Sequence, residues 1–182
     1  MLYHLSTELS QIIPVFTPRI PERTRRMEGE NGDIPRICVA KTIEDCLSAM
    51  PDGGYMLEES EQPNIIRVYE FDEETIDPEN LISPSHLYFS GWVLDSWVTG
   101  EWWVVRQSIF PVRCYDICLN DFDVYNAPFV HPRKFLEKSL VYRDPEILLD
   151  ELEKDAEQYI ARVENLQYTV LRELQITSPS FV

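Results

Sequence analysis

The feature that most constrains this chain lies near its end. Leu149, Leu152, Ala156, Tyr159, Val163, Leu166 and Val170 recur at alternating steps of three and four residues. On a helix that spacing lines up all of them as the seam of a heptad repeat. Asp144 stands as an N-cap before Pro145 at the first helical position, and Glu146 follows at the positive end of the dipole. The expectation is one long C-terminal helix over 144–176. At 1.5 Å per residue it would span roughly 48 Å, more than the ~35–40 Å of the domain that remains. Its overhanging seam needs cover. A second copy of the same helix supplies that cover, which makes these residues a homodimer interface; folding back along the parent domain is the other solution.

The rest of the chain reads as an α+β domain over 1–140, mainly an antiparallel sheet with short helices. Residues 1–6 suit a strand, and 7–13 a short helix capped by Thr7 and stopped by Pro14. Residues 14–35 form an Arg- and Pro-rich loop. Ile37–Ala40 reads as a buried strand, followed by a helix capped at Thr42, with Asp45 three residues on, and ended by Pro51-Asp52-Gly53-Gly54. Residues 64–71 alternate as a strand does. Residues 86–98 suit one or two strands, and 101–119 two more, broken near Pro111. Residues 120–140 look irregular. Trp92, Trp97, Trp102 and Trp103 suit core and sheet-face packing, an exposed pair being the mark of an interface.

Charge narrows the function. The chain carries 32 acids against 16 bases, a formal net charge of −16. Such a surface repels nucleic acid and is drawn to basic partners. Glu70, Asp72, Glu73, Glu74, Asp77 and Glu79 crowd into residues 70–79, and a second acidic run covers 144–157. These are a solvated face or a surface that imitates a phosphate backbone. Arg19, Arg23, Arg25 and Arg26 go the other way; they suit a grip on phosphate or carboxylate, or neutralise the protein's own acids.

Cys38, Cys46, Cys114 and Cys118 form no CxxC pair and read as free thiols in a reducing cytosol, with no metal site expected. No apolar run reaches the ~18 residues of a membrane span, and no secretory signal is visible. The expected location is cytoplasmic. The overall profile resembles the small acidic inhibitors made by phages, anti-CRISPR proteins among them. That resemblance implies a binder of a basic nucleic-acid-binding partner, such as a CRISPR nuclease in the host cytoplasm, working without a cofactor.

Three pieces carry a second resemblance: "YHLS" on the first strand, "RICVAKTIEDCLSAM", and "GEWWVVRQSIFPVRCYDI". Over residues 1–117 they resemble, in order, the motifs of the ADP-ribosyltransferase fold. The resemblance implies that His4 and Ser6 hold NAD, that Tyr55 stacks on nicotinamide, and that Glu101 is the catalytic carboxylate of an NAD-dependent transferase. The family's aromatic position in the second motif is Val39 here. Glu101 follows Thr99-Gly100 in place of the family's Glu-x-Glu or Gln-x-Glu.

Overall fold

A computed structural model describes residues 1–22, 29–50, 64–156 and 158–176. Among these residues seven strands form two sheets. β1 (Leu2–Ser6), β3 (Ile65–Phe71), β6 (Arg113–Phe129) and β7 (Gln158–Glu173) build a four-stranded sheet in the order β1-β3-β6-β7. β2 (Ile37–Val39), β5 (Trp102–Val104) and β4 (Leu81–Ile82) build a smaller one in the order β2-β5-β4. Every pairing is antiparallel. The sheets meet where the Tyr3 amide donates to Ala40 O at 2.8 Å and the Ala40 amide donates back at 3.0 Å.

Strand alternation divides the interior into three apolar clusters. Leu2, Tyr69, Phe71 and Cys114 from the larger sheet meet Ile37, Val39 and Val104 from the smaller one, with Phe16 and Ile76 completing this central layer. The outer face of the larger sheet carries Ile66, Val68, Tyr115 and Ile117, covered by Ile43 and Leu47 of α1 (Ile43–Ser48). The outer face of the smaller sheet carries Trp103 and Val105 against Leu87 of α2 (Pro84–Phe89) and Val93, ahead of the short α3 (Ser96–Thr99). α4 (Pro132–Val141) and α5 (Pro145–Lys154) connect the far ends of β6 and β7. Among the described residues no helix is long and apolar enough to cross a membrane.

The long C-terminal helix does not exist. α5 is 10 residues long and stops at Lys154, and 158–173 form β7 on β6. The reason is partly compositional: Tyr159, Ile160, Val163, Tyr168, Thr169 and Val170 favour a pleated surface. It is also an accident of counting. A step of four keeps a residue on the same strand face, as from Val163 back to Tyr159 or from Leu166 on to Val170. The step of three from Val163 to Leu166 spans Asn165, whose left-handed φ of 53° marks a register shift against β6. That extra residue returns Leu166 to the side of Val163, and both pack in the cluster under α1. Of the expected seam, Leu152 and Val163 are buried inside this same chain, Ala156 and Leu166 are half-buried, and Leu149, Tyr159 and Val170 are exposed.

Other expectations shift as well. Residues 7–13 are irregular: Arg67 takes the Gln11 and Leu9 carbonyls at 2.7 and 3.1 Å, and the Ile13 amide donates to the Tyr69 hydroxyl. Residues 86–98 give α2 and α3 where strands were expected; Ser83, Pro84 and Asp95 are helix-start residues whose local signal was outweighed by the aromatics. Residues 120–140 are the second half of β6 followed by α4.

One buried ionic knot ties the larger sheet. Arg67, 2% exposed, grips Asp116 through Nε at 2.8 Å and Nη2 at 3.2 Å. Arg172 on β7 donates from Nε to the other side of the same carboxylate at 2.7 Å. Burial pushes the Asp116 carboxyl up, but the two guanidinium groups overcome this and hold it below the usual range.

Candidate functional site

Of the residues singled out for NAD chemistry, Glu101 is buried and His4 and Ser6 are half-buried. His4 sits on the central-layer side of the smaller sheet, its ring 5.0 Å from Phe16 and 6.4 Å from Tyr69. Its Nδ1–H donates to Cys38 O at 2.8 Å, and burial lowers its pKa, so the neutral ring is favoured. Glu101 has the parity of Trp103, on the opposite face of that sheet. The Trp103 indole N–H donates to Glu101 Oε1 at 2.7 Å, and the Cys38 thiol is a further hydrogen-bond partner of the carboxylate. Arg36 lays its guanidinium 4.0 Å over the Trp103 ring and contributes positive charge towards Glu101. Ser6 hydrogen-bonds locally with Glu8. Tyr55 lies outside the described residues. With the imidazole and the carboxylate separated by a sheet, these side chains do not fit a nicotinamide dinucleotide held between them.

The backbone enforces the Glu101 position. Gly100 caps α3 at φ 73°, and a Cβ there would stand 2.7 Å from Asp45 Cγ on α1, so a side chain is excluded by conformation and by space. Asp95, at the start of α3, has its carboxyl pushed up to about 7 by burial first and by the charge of Glu101 second. Sequence reading missed Asp95; an acid beside a Trp-rich run was its only signal.

The acidic stretch 70–79 takes a different form. Its first residue, Glu70, is the penultimate residue of β3, accepts from the Tyr115 hydroxyl at 2.8 Å and pairs with Arg113 at 3.3 Å. Two 3-10 turns follow in tandem, Glu73–Thr75 and Pro78–Asn80. Asp72 caps the first by accepting from the Glu74 amide, and Asp77 caps the second by accepting from the Glu79 amide, each at 3.0 Å. Gln107 staples the pair: its Nε2 donates to Thr75 O at 2.9 Å, and its Oε1 accepts from the Asp77 amide at 3.0 Å. Ile76, between the turns, is buried in the central layer. Glu73 is drawn to Lys41 and to the amino terminus. Glu74 and Glu79 are exposed and make no side-chain hydrogen bond or ion pair among the described residues.

The bases are largely spent inside the molecule. Arg36 pairs with Glu30, Arg67 and Arg172 with Asp116, Arg113 with Glu70 and Glu173, and Arg162 with Asp45 and Glu164. Lys138 holds Glu151 and Asp155. Arg19 is exposed on a backbone bridge to Arg36, while Arg23, Arg25 and Arg26 lie outside the described residues. The surplus of carboxylate therefore falls on the surface. Its two densest runs lie apart: Glu70 pairs with Arg113 at the start of β6, whereas α5 follows its far end. A strand of 17 residues separates them by up to roughly 55 Å.

Among the described residues, one shallow depression of about 330 Å³ is lined by Asp45, Arg162 and Glu164, and another of about 390 Å³ lies beside His131, Arg133 and Glu137. Neither includes His4 or Glu101. Among the described residues no group of three or more potential metal ligands is gathered. No protein-family model matches the chain, and comparison with curated proteins and with solved structures gives no match.

Proposed function

We propose that this is an interaction protein that presents the two capped turns of 72–79 to a cationic groove in a nucleic-acid-binding partner, as an acidic inhibitor would. A CRISPR-type nuclease is the partner class that the charge profile suggests. One observation carries the reading. The carboxylates of Asp72, Glu74, Asp77 and Glu79 stand on a frame held by caps, by Gln107 and by buried Ile76, and none of the four makes an ion pair among the described residues. A rigid row of charge loses little conformational entropy on docking. Long-range attraction speeds the encounter and fades with salt.

The test is competition. The intact protein is added to a purified guide-loaded CRISPR nuclease, and displacement of bound DNA is followed as salt is raised. Displacement that weakens steeply with salt supports the reading. A Glu74→Lys, Glu79→Lys variant should then weaken by about tenfold, since each exposed contact contributes on the order of 0.5–1 kcal/mol at an interface rim. Equal potency of that variant overturns the role of the turns, and absence of displacement at low salt overturns this partner class.

A further inference from the structure

α4 presents an apolar stripe outwards. Leu140 is 81% exposed, Val141 70% and Leu136 51%. On a helix of 3.6 residues per turn these three share one side with Arg133 and Glu137. The other side is anchored: Phe135 meets Tyr88 at 6.1 Å and Phe89 at 5.8 Å, both ring pairs edge-on. So the helix is docked, and its outer leucines are not a consequence of its being loose. Exposed large side chains grouped in this way mark interaction sites.

The charges flanking the stripe change sign along it. Arg133 and Lys134 stand at its start, where Arg133 Nε donates to Glu137 at 3.2 Å, so that end keeps a net charge of one positive. Asp144 and Glu146 follow its end, with Arg143 between, so that end keeps a net negative charge. A partner must reverse this order to match it. A second copy running antiparallel does so automatically, because a two-fold axis sets each end against the opposite end of its mate. A parallel copy would oppose like charges.

We propose that the α4 stripe is covered by the α4 stripe of a second copy, packed antiparallel about a two-fold axis. Leu136 then meets Leu140 of the partner subunit, and Arg133 faces the acids that begin α5 of the partner subunit. The interface is isologous and independent of the acidic turns. It is also distinct from the expected heptad seam, since of those residues Leu152 and Val163 are buried within one chain.

Sedimentation velocity of the full chain over a wide range of concentration tests this. The wild type should show a monomer–dimer equilibrium. Leu140→Asp should raise the dissociation constant by about 30-fold or more, the scale of a central interface residue. Its circular dichroism should stay that of the wild type, because the side chain is already in solvent. Arg133→Glu should weaken the dimer, and adding Glu146→Arg in the same chain should restore it. Val112→Asp, exposed before the opposite end of β6, should leave it unchanged. The proposal is overturned by a monomer at every concentration, by a Leu140→Asp dimer as tight as wild type, or by Val112→Asp weakening the dimer equally. A charge swap that fails to rescue overturns the antiparallel pairing.

Discussion

Residues 145–154 and 158–173 share one apolar rhythm and adopt opposite structures. The first is helical because Asp144 accepts from the Glu146 and Ile147 amides, Pro145 suits the first turn, and Leu and Glu dominate. The second is extended because β-branched and aromatic residues dominate and because β6 offers a long unpaired side. The comparison teaches that a three-four rhythm identifies a helix only while nothing inserts an extra residue. One left-handed Asn165 makes a strand give the same spacing.

The comparison can be broken most forcefully by charge. Val163 is 1% exposed under α1, and its amide donates to Ser48 Oγ at 2.9 Å. Val163→Asp should cost on the order of 4 kcal/mol in urea unfolding, whereas Leu149→Asp, on the exposed side of α5, should stay within about 0.5 kcal/mol. Equal losses would mean that β7 is not the packed half.

A smaller effect, read by pH, probes how β7 holds its neighbours. Arg162 on β7 donates to Val98 O at 2.7 Å and so clamps α3, which Asp95 begins. Burial raises the folded pKa of Asp95 from 3.8 to about 7, so the folded state binds the extra proton between those values. Stability should therefore fall as pH rises from about 4 to about 7 and level off above. Asp95→Asn should flatten that slope and leave the protein more stable at mildly alkaline pH, by on the order of 2 kcal/mol after allowance for water reaching the half-buried residue. A wild-type slope unchanged by the substitution would contradict the assignment. The smallest effect is at the cap: Asp144→Ala should cost about 1 kcal/mol and lower helix content without touching β7.

Much of the first half was legible. β1, β2, β3 and α1 stand where alternation and the Thr42 cap place them, and Thr42 Oγ1 does accept from the Asp45 amide at 3.0 Å. Such signals are local. What escaped detection depends on distant partners. Arg67 and Asp116 are 49 residues apart, and nothing near either one reveals that they meet. The aromatic run 86–98 looked extended because Tyr, Phe and Trp favour strands, yet Ser83 and Pro84 start a helix there. At the candidate site the acids were evident by count. Their mounting on two stapled turns was not, because it depends on Gln107, a residue with no motif.

The Arg172–Asp116 and Arg113–Glu173 pairs both sit at the C-terminal end of the last strand. Tension applied to the chain terminus would meet the Leu174 amide's bond to Cys114 O and these two latches before the rest of the β6–β7 ladder could unzip, and parting the first latch removes one of the two cations serving an interior anion. The edge should thus resist peeling most at the outset, and a fusion or tether attached beyond Glu173 would pull on the molecule where it is bolted rather than where it frays.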